Sequence, residues 1–475
     1  MVLRHTLYYA LARGLPGALA FTALAAFTRL FTPEAYGQYV LVLGWVGLVQ
    51  VVAFQWLRLG LVRFLPAYPG GSPILRSTVV LAFGAAAGST GLLAGAAALL
   101  LPAGERAWLG IGVALLWGSA WFDLNQSLAA GTQRPLRYGM LMAGRALLFL
   151  ALGSAVARAG WGGGGLALAA AAAYVLPTLF TAWGDWRGVG RRHAEGAVLR
   201  RVGRYGIPLS VSLGLAFVFA YSDRVLIGEL VGVREAGLYA AGYDLVEQSI
   251  GLLTAVSATA AFPVVSEAYE KGGARSARAP LLQHATVLAA LLVPAATGLV
   301  VLAPEVAHVV LGPAFAPTAA AVMPWVAAAA LVSGFKEAYL NVAFQLADRT
   351  RRLVGVAAVA AALNVGLNVL WLPHYGLVGA AYATLASYVV AAAASWVWGR
   401  SLFPLPFPTG EFARVVVSAA AMAVVLMLLP PLASAAGLAL KVIAGAIVYV
   451  GGAIALNVLD VRTRGWRAVR RRLWA

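Results

Sequence analysis

The chain has 475 residues, of which 62% are hydrophobic and only 11% are charged, less than half of the roughly 25% found in soluble globular proteins. It contains no cysteine, and its five histidines are dispersed, which excludes disulfides, cysteine nucleophiles and the usual metal-ligand spacings. The net charge of +18 is spread over short segments between apolar stretches, so no compact soluble domain offers a face to nucleic acid. We therefore predict an all-α, polytopic membrane protein without cofactors, whose anionic partners are membrane lipids or lipid-linked phosphates.

Fourteen apolar stretches are each long enough to cross the hydrocarbon core of a bilayer, which takes about 20 residues of α-helix. The first stretch runs on to Phe31, too far for a typical signal peptide, and is predicted to be an uncleaved transmembrane helix. The predicted spans lie near residues 10–31, 37–59, 77–101, 107–130, 138–158, 161–183, 205–228, 236–265, 284–303, 317–343, 353–372, 376–398, 412–432 and 437–458.

The gaps between these spans are alternately rich and poor in basic residues. All but seven of the 35 Lys and Arg residues fall in, or just inside the ends of, every second gap. This distribution is typical of loops that stay in the cytoplasm, and with an even number of spans it predicts that both termini are cytoplasmic. The seven exceptions are Arg29, Arg106, Arg158, Arg224, Arg234, Lys336 and Lys441.

The longest basic segment, near residues 184–204, divides the chain close to its middle, and the sequence repeats across it at an offset of 200. The repeat predicts a first lobe of six spans with its linker at 1–203, a pseudo-symmetric second lobe of six spans at 204–400, and two further helices with a basic tail at 401–475. Parallel lobes of this kind are typical of transporters that bind substrate between them. The repeated residues are Arg4, Gly14, Leu15, Ala20, Leu30, Gly37 and Tyr39, which recur as Arg204, Gly214, Leu215, Ala220, Leu230, Gly237 and Tyr239.

Three segments carry a resemblance to a known family. Arg29-Leu-Phe-Thr-Pro-Glu-Ala-Tyr-Gly-Gln-Tyr39 follows the first span, and Ser222-Asp223-Arg224 lies late in the seventh, before Val233-Arg-Glu-Ala-Gly-Leu-Tyr239. The third runs from Asn364-x-x-x-Asn368 to Pro373-x-Tyr-Gly-x-x-Gly-Ala-Ala-x-Ala-Thr384. Together they resemble the bacterial oligosaccharide flippases, the Wzx-type branch of the multidrug/oligosaccharidyl-lipid/polysaccharide exporter superfamily.

This resemblance implies a V-shaped carrier of two lobes that is not an enzyme. Its cargo would be an undecaprenyl-pyrophosphate-linked oligosaccharide, such as an O-antigen or exopolysaccharide repeat unit. The carrier would move this cargo by alternating access from the cytoplasmic to the outer leaflet of the inner membrane.

A diphosphate cargo calls for cations inside the predicted spans, where a charge costs at least about 2.5–3.5 kcal/mol. Arginine suits this role because its rigid fork matches phosphate oxygens and keeps its charge when partly desolvated. The predicted substrate-binding cations are Arg29, Arg58, Arg145, Arg224 and Lys336. For Arg29 and Arg58 an alternative stays open, in which the side chain snorkels to the headgroups.

The embedded acids are predicted either to couple transport to a proton or sodium gradient or to neutralise nearby cations. Asp223 and Arg224 point about 100° apart on a helix, so we expect them to be poor partners for each other. Asp244 and Glu247 share a helix face at a spacing of three residues. The candidate acids are Asp123, Asp223, Asp244, Glu247 and Glu337.

Three other functions stay open. A lipid II flippase of the same superfamily is close to the leading interpretation, whereas a multidrug cation antiporter would favour an acidic cavity. A membrane glycosyltransferase or polymerase would need an outer catalytic surface, and the longest predicted outer loop, near 304–316, offers only Glu305 and His308. The tail at 462–472 is predicted to form an amphipathic helix on the inner leaflet, where it could contact other polysaccharide assembly proteins.

Overall fold

The computed structural model describes residues 2–68, 73–181, 183–349, 351–431 and 434–460, with side chains from residue 15 onward except that of residue 183. All regular elements of this part of the chain are helical. The predicted amphipathic tail lies outside the described residues. The α-helices are α1 Val2–Leu30, α2 Pro33–Ala53, α3 Gln55–Phe64, α4 Pro73–Leu100, α5 Ala103–Gly131, α6 Pro135–Arg158, α7 Gly162–Thr181, α8 Gly196–Leu230, α9 Val233–Val301, α10 Ala303–Val310, α11 Ala316–Phe335, α12 Val342–Leu346, α13 Arg351–Arg400, α14 Thr409–Leu428 and α15 Ala435–Ala455.

The described helices account for fourteen spans, as predicted. Eleven helical segments are long and apolar enough to cross a membrane. Two of them, α9 with 69 residues and α13 with 50, each contain two spans, and the apolar part of α1 at Leu15–Leu30 supplies one more. The chain is therefore an all-α, multi-pass membrane protein.

Glycines mark the points where α9 and α13 are interrupted. Gly273 has φ 65° and Gly376 has φ 58°, both in the left-handed region that a side chain with a Cβ atom rarely adopts. The Gly273 break falls in the predicted gap between the spans 236–265 and 284–303, and Gly376 is the first residue of the predicted span 376–398. Conversely, residues 304–316, predicted to form an outer loop, contain the short helix α10.

The chain folds into two compact units, residues 1–237 (unit 1) and residues 238–475 (unit 2). In unit 1, α1 packs against α6, and α7 lies against both α5 and α6. The helix α8, which the sequence repeat assigns to the second lobe, packs against α2, α3 and α4. In unit 2, α11 packs against α13, and α15 lies against α10 and α14.

The motif after the first span builds a helix cap and a close contact in unit 1. The Thr32 hydroxyl accepts a hydrogen bond from the Ala35 amide, and Pro33 occupies the first turn of α2, both favourable at a helix start. One turn later, a Cβ atom on Gly37 would lie 1.9 Å from the Val233 carbonyl oxygen, and one on Gly237 would lie 2.2 Å from the carbonyl oxygen of Pro33. The repeated glycines thus meet each other, backbone to backbone.

This contact predicts the effect of adding one methyl group. Gly37→Ala should lower the free energy of unfolding by about 1–3 kcal/mol, because backbone atoms must move apart. Gly84→Ala is the matched control, since its Cβ would meet nothing within 4 Å and alanine favours the helix by about 0.5–1 kcal/mol. Thermal unfolding of the purified variants measures both effects, the predicted loss of stability in Gly37→Ala and the predicted gain in Gly84→Ala. Equal stability of the two variants would contradict the assignment.

An ion pair fastens α15 within unit 2. Lys441 Nζ lies 2.7 Å from Glu305 Oε1, and the side chains are only 3% and 14% exposed. Burial raises the pKa of Glu305, but the hydrogen bond from Lys441, a backbone hydrogen bond and the charge of Lys441 together outweigh it, so that the pKa lies below its usual value of 4.5. The pair therefore stabilises the fold above pH 4.5, and its contribution is lost as the pH falls through the lowered pKa.

Breaking this pair on one side should be costly. Glu305→Gln should lower the free energy of unfolding by about 2 kcal/mol at neutral pH, because it leaves a buried ammonium group without its counter-charge. The double variant Glu305→Leu with Lys441→Met removes both charges and should recover most of that loss. Thermal unfolding at pH 7 and pH 4 checks the effect, which should shrink at the lower pH. A Glu305→Gln penalty that is independent of pH would contradict this account.

Candidate functional site

The predicted cations fall into separate groups. Arg58 and Arg145 both act on the carboxylate of Asp123 in unit 1. Arg224 in unit 1 and Lys336 in unit 2 each pair with the acid next to them in the chain. Arg29 lies at the exposed end of α1, where its guanidinium donates to the Ala25 carbonyl oxygen over 2.8 Å, a favourable position for a cation.

Polar side chains from α2, α3 and α5 form a chain of contacts around Asp123. Arg58 Nη1 lies 3.9 Å from Asp123 Oδ2, and both side chains are half-buried. Gln50 Nε2 donates to the same carboxylate oxygen over 2.9 Å. The Ser119 hydroxyl in turn donates to Gln50 Oε1 over 2.8 Å. The amide therefore orients the carboxylate while Arg58 supplies its counter-charge.

Arg145 brings a second cation to this cluster from α6. Its guanidinium carbon lies 4.8 Å from the ring centre of Tyr174 and 5.9 Å from that of Phe122, within the range of cation–π attraction. Its Nε is buried and lacks a hydrogen-bond partner among the described residues. Its charge acts on Asp123 without an ion pair between the two side chains in the described part of the chain. With two arginines near one carboxylate, this group, which we call the Asp123 cluster, carries one surplus positive charge.

A small cleft in unit 1 opens beside this cluster. Arg58 and Asp123 line it together with Gln50, Phe54 and Phe83, and it has room for about one water molecule. The cleft can hydrate the ion pair but is too small for a sugar headgroup. The predicted glycan cavity stays a prediction.

The prediction that Asp223 and Arg224 are poor partners was wrong. The Asp223 carboxylate accepts a hydrogen bond from the Arg224 backbone amide over 2.8 Å and lies 3.7 Å from its guanidinium. The long arginine side chain folds back along α8, donates to the Ala220 carbonyl oxygen over 2.9 Å and covers the Tyr221 ring. Side-chain length thus overcomes the angular separation of the two Cα–Cβ bonds. Both residues are buried.

In unit 2, Lys336 and Glu337 lie in a π-helical turn, Lys336–Leu340, a feature common at functional sites. The Lys336 ammonium group is buried and hydrogen-bonds to the largely exposed Glu337 carboxylate. The other oxygen of that carboxylate accepts from Asn341 Nδ2 over 2.8 Å, and the buried Ser395 hydroxyl donates to Asn341 Oδ1 over 3.1 Å. This pair is charge-neutral.

The remaining predicted acids lie on α9. Asp244 is half-buried and Glu247 exposed, one turn apart. Their role in coupling or charge balance stays a prediction.

Sequence reasoning missed the uncharged members of these networks. Gln50 and Ser119 complete the contacts of Asp123. The sequence feature that could have indicated them is that each is a polar residue inside an apolar span. A second buried set joins the two spans of α13: Asn368 Nδ2 donates to the Asn364 carbonyl oxygen over 2.9 Å, and Asn364 Nδ2 donates to Thr384 Oγ1 over 3.4 Å. The spacing of four between the asparagines was visible in the sequence.

Comparisons with known proteins agree with this architecture. A family model described as polysaccharide biosynthesis protein matches residues 124–320, and one described as lipid II flippase MurJ matches residues 231–446. The probable flippase AglR of Haloferax volcanii is 28% identical over 239 residues, 49% of each chain. The chain thus spans about half the length of this curated relative.

Two solved structures share the fold. A lipid II flippase MurJ in an inward closed conformation superposes with a TM-score of 0.74 at 11% identity, covering 95% of this chain and 99% of that one. An inward-facing multidrug resistance MATE family transporter of the MOP superfamily gives a TM-score of 0.61 at 17% identity, covering 82% of this chain and 94% of that one. The chain is therefore similar to flippases and transporters of the multidrug/oligosaccharidyl-lipid/polysaccharide exporter superfamily.

These similarities confirm the resemblance that the sequence motifs predicted. The matched names are those of flippases, transporters and a polysaccharide biosynthesis family, in agreement with the prediction that the chain is not an enzyme.

Proposed function

We propose that this protein is a flippase of a lipid-linked saccharide, and that its cargo is an undecaprenyl-pyrophosphate-linked oligosaccharide. The observation that carries this proposal is the surplus positive charge of the Asp123 cluster, where Arg58 pairs with the carboxylate and Arg145 lies near enough for its charge to act on it. A multidrug cation antiporter would be served by surplus negative charge instead. The matches to a polysaccharide biosynthesis family and to flippases support the same class of cargo.

The orientation follows from the distribution of basic residues. Under the positive-inside rule the basic loops and both termini face the cytoplasm, and the protein lies in the inner membrane. The cargo would then enter from the cytoplasmic leaflet, with its sugar and diphosphate in water and its polyprenyl tail in the bilayer. Other polysaccharide assembly proteins could meet the basic cytoplasmic side.

In the proposed mechanism, embedded cations lower the cost of moving the diphosphate through a low dielectric. Arg145 is the strongest candidate because aromatic rings hold its guanidinium while its Nε keeps a donor without a partner among the described residues. Arg224 and Lys336 would contribute in turn as alternating access proceeds. Asp123, Asp223, Asp244, Glu247 and Glu337 balance these charges, and a proton or sodium gradient could act on any of them.

A lipid II flippase is the second candidate. It is favoured by the family match at 231–446 and by the shared fold over 95% of the chain. Both cargoes carry a polyprenyl diphosphate, so the cation cluster suits either, and the sugar must be distinguished by assay.

Replacing Arg145 should reduce transport more than abundance. Arg145→Gln should slow translocation of a fluorescent undecaprenyl-diphosphate oligosaccharide in proteoliposomes by about tenfold or more, since a charge-assisted contact contributes about 1.5–3 kcal/mol. The control Arg158→Gln changes an exposed arginine at the end of the same helix and should transport normally.

The same vesicles also separate the candidates. Faster transport of labelled lipid II than of the oligosaccharide would favour the second one, and assays with and without proton and sodium gradients identify the coupling ion. Normal transport by Arg145→Gln would remove Arg145 from the proposed site.

A further inference from the structure

Three arginines from different parts of unit 1 converge on Asp185, which lies in the linker between α7 and α8. Arg134 Nη1 lies 2.7 Å from Asp185 Oδ1, and Arg137 hydrogen-bonds to Oδ2. Arg76, in the first turn of α4, donates to the Asp185 backbone carbonyl oxygen. The Asp185 side chain is 13% exposed, whereas that of Arg134 is 54% exposed. The group, which we call the Asp185 cluster, is therefore sheltered on one side and open on the other.

Contacts on either side of Asp185 hold the linker in place. Trp186 Nε1 donates to Asn125 Oδ1 over 2.7 Å, and its ring packs against that of Trp121. Farther along, the Gly190 amide donates to the Ser77 hydroxyl and the Glu195 amide to the Thr78 hydroxyl. The linker thus has several anchors to unit 1 that do not depend on the carboxylate.

The charges of the Asp185 cluster do not balance. Each carboxylate oxygen accepts from one arginine, and the third arginine makes its contact with a neutral carbonyl oxygen. Arg134 and Arg137 thus share a single carboxylate, and one surplus positive charge remains on these two arginines. A phosphate group would suit these arginines better than a carboxylate, because it carries about −1.5 to −2 and three acceptor oxygens and because guanidinium forks match its geometry.

We infer that Arg134 and Arg137 form a binding site for a lipid phosphate group, in which the Asp185 carboxylate acts as a displaceable internal anion. The predicted orientation places this basic end of unit 1 at the cytoplasmic leaflet, where such phosphates lie. The arrangement differs from the Asp123 cluster in that its acid comes from a linker and not from a span. The class of ligand, a polyprenyl diphosphate or a phospholipid headgroup, rests on the proposed function, whereas the anion site itself does not.

Removing the internal anion should strengthen binding of an external one. While the Asp185 carboxylate occupies the arginines, an external anion can bind only during the fraction of time in which the carboxylate is displaced, and its apparent affinity is reduced by that fraction. Asp185→Asn should therefore bind inorganic pyrophosphate about tenfold more tightly than the wild-type chain. Binding to the purified full-length protein can be followed by thermal shift at constant ionic strength. The double variant Arg134→Gln with Arg137→Gln should bind it at least about tenfold more weakly. Arg191→Gln, an exposed linker arginine, is the control and should leave the affinity unchanged.

Two outcomes would overturn the inference. The first is equal pyrophosphate affinity of Asp185→Asn and wild type, which would make Asp185 a purely structural clamp. The second is unchanged affinity in the double arginine variant, which stays informative even if Asp185→Asn fails to fold.

Lipid arms of the same experiment identify the source of the phosphate. Competition by farnesyl diphosphate but not by phosphatidylglycerol vesicles indicates the cargo, and the reverse indicates a membrane headgroup. Competition by neither would overturn the lipid assignment. Because these assays measure binding without transport, they can succeed even if the flippase proposal fails.

Discussion

The cost of placing a charge in an apolar environment governs this structure. An isolated ion in low dielectric is several kcal/mol less stable than in water, and only a close counter-charge with further hydrogen bonds offsets that cost. Four cations in or beside the spans follow this rule within their own unit. They are Arg58 with Asp123, Arg224 with Asp223, Lys336 with Glu337, and Lys441 with Glu305.

Clusters in which cations outnumber acids are therefore informative about function. Arg145 adds a second cation to Asp123 and obtains its stabilisation from aromatic faces. Asp185 is shared by Arg134 and Arg137, with Arg76 against its backbone. In both places positive charge exceeds what the fold needs to hold itself together. An anionic ligand would lower the electrostatic free energy at either cluster, and an acidic lipid-linked saccharide has the required charge.

Local properties of the chain could be predicted from the sequence, and long-range partners could not. Span length and the glycine breaks depend on neighbouring residues, so the fourteen spans and the gaps near Gly273 and Gly376 were predictable. The partners of the charges depend on packing: Gln50 meets Asp123 from 73 residues away and Lys441 meets Glu305 from 136. The contact between Gly37 and Gly237 was visible only as a repeated motif.

The most direct test replaces all three charges of the Asp123 cluster together, by Arg58→Gln, Asp123→Asn and Arg145→Gln. Because all three charges are removed together, no uncompensated charge is left in the span, so thermal stability should be retained. Translocation of the lipid-linked oligosaccharide in proteoliposomes should be lost, because the predicted cations of unit 1 that remain are Arg29 at the exposed end of α1 and Arg224, which pairs with Asp223. Full transport by this triple variant, with normal stability, would contradict the claim that the surplus charge serves an anionic cargo.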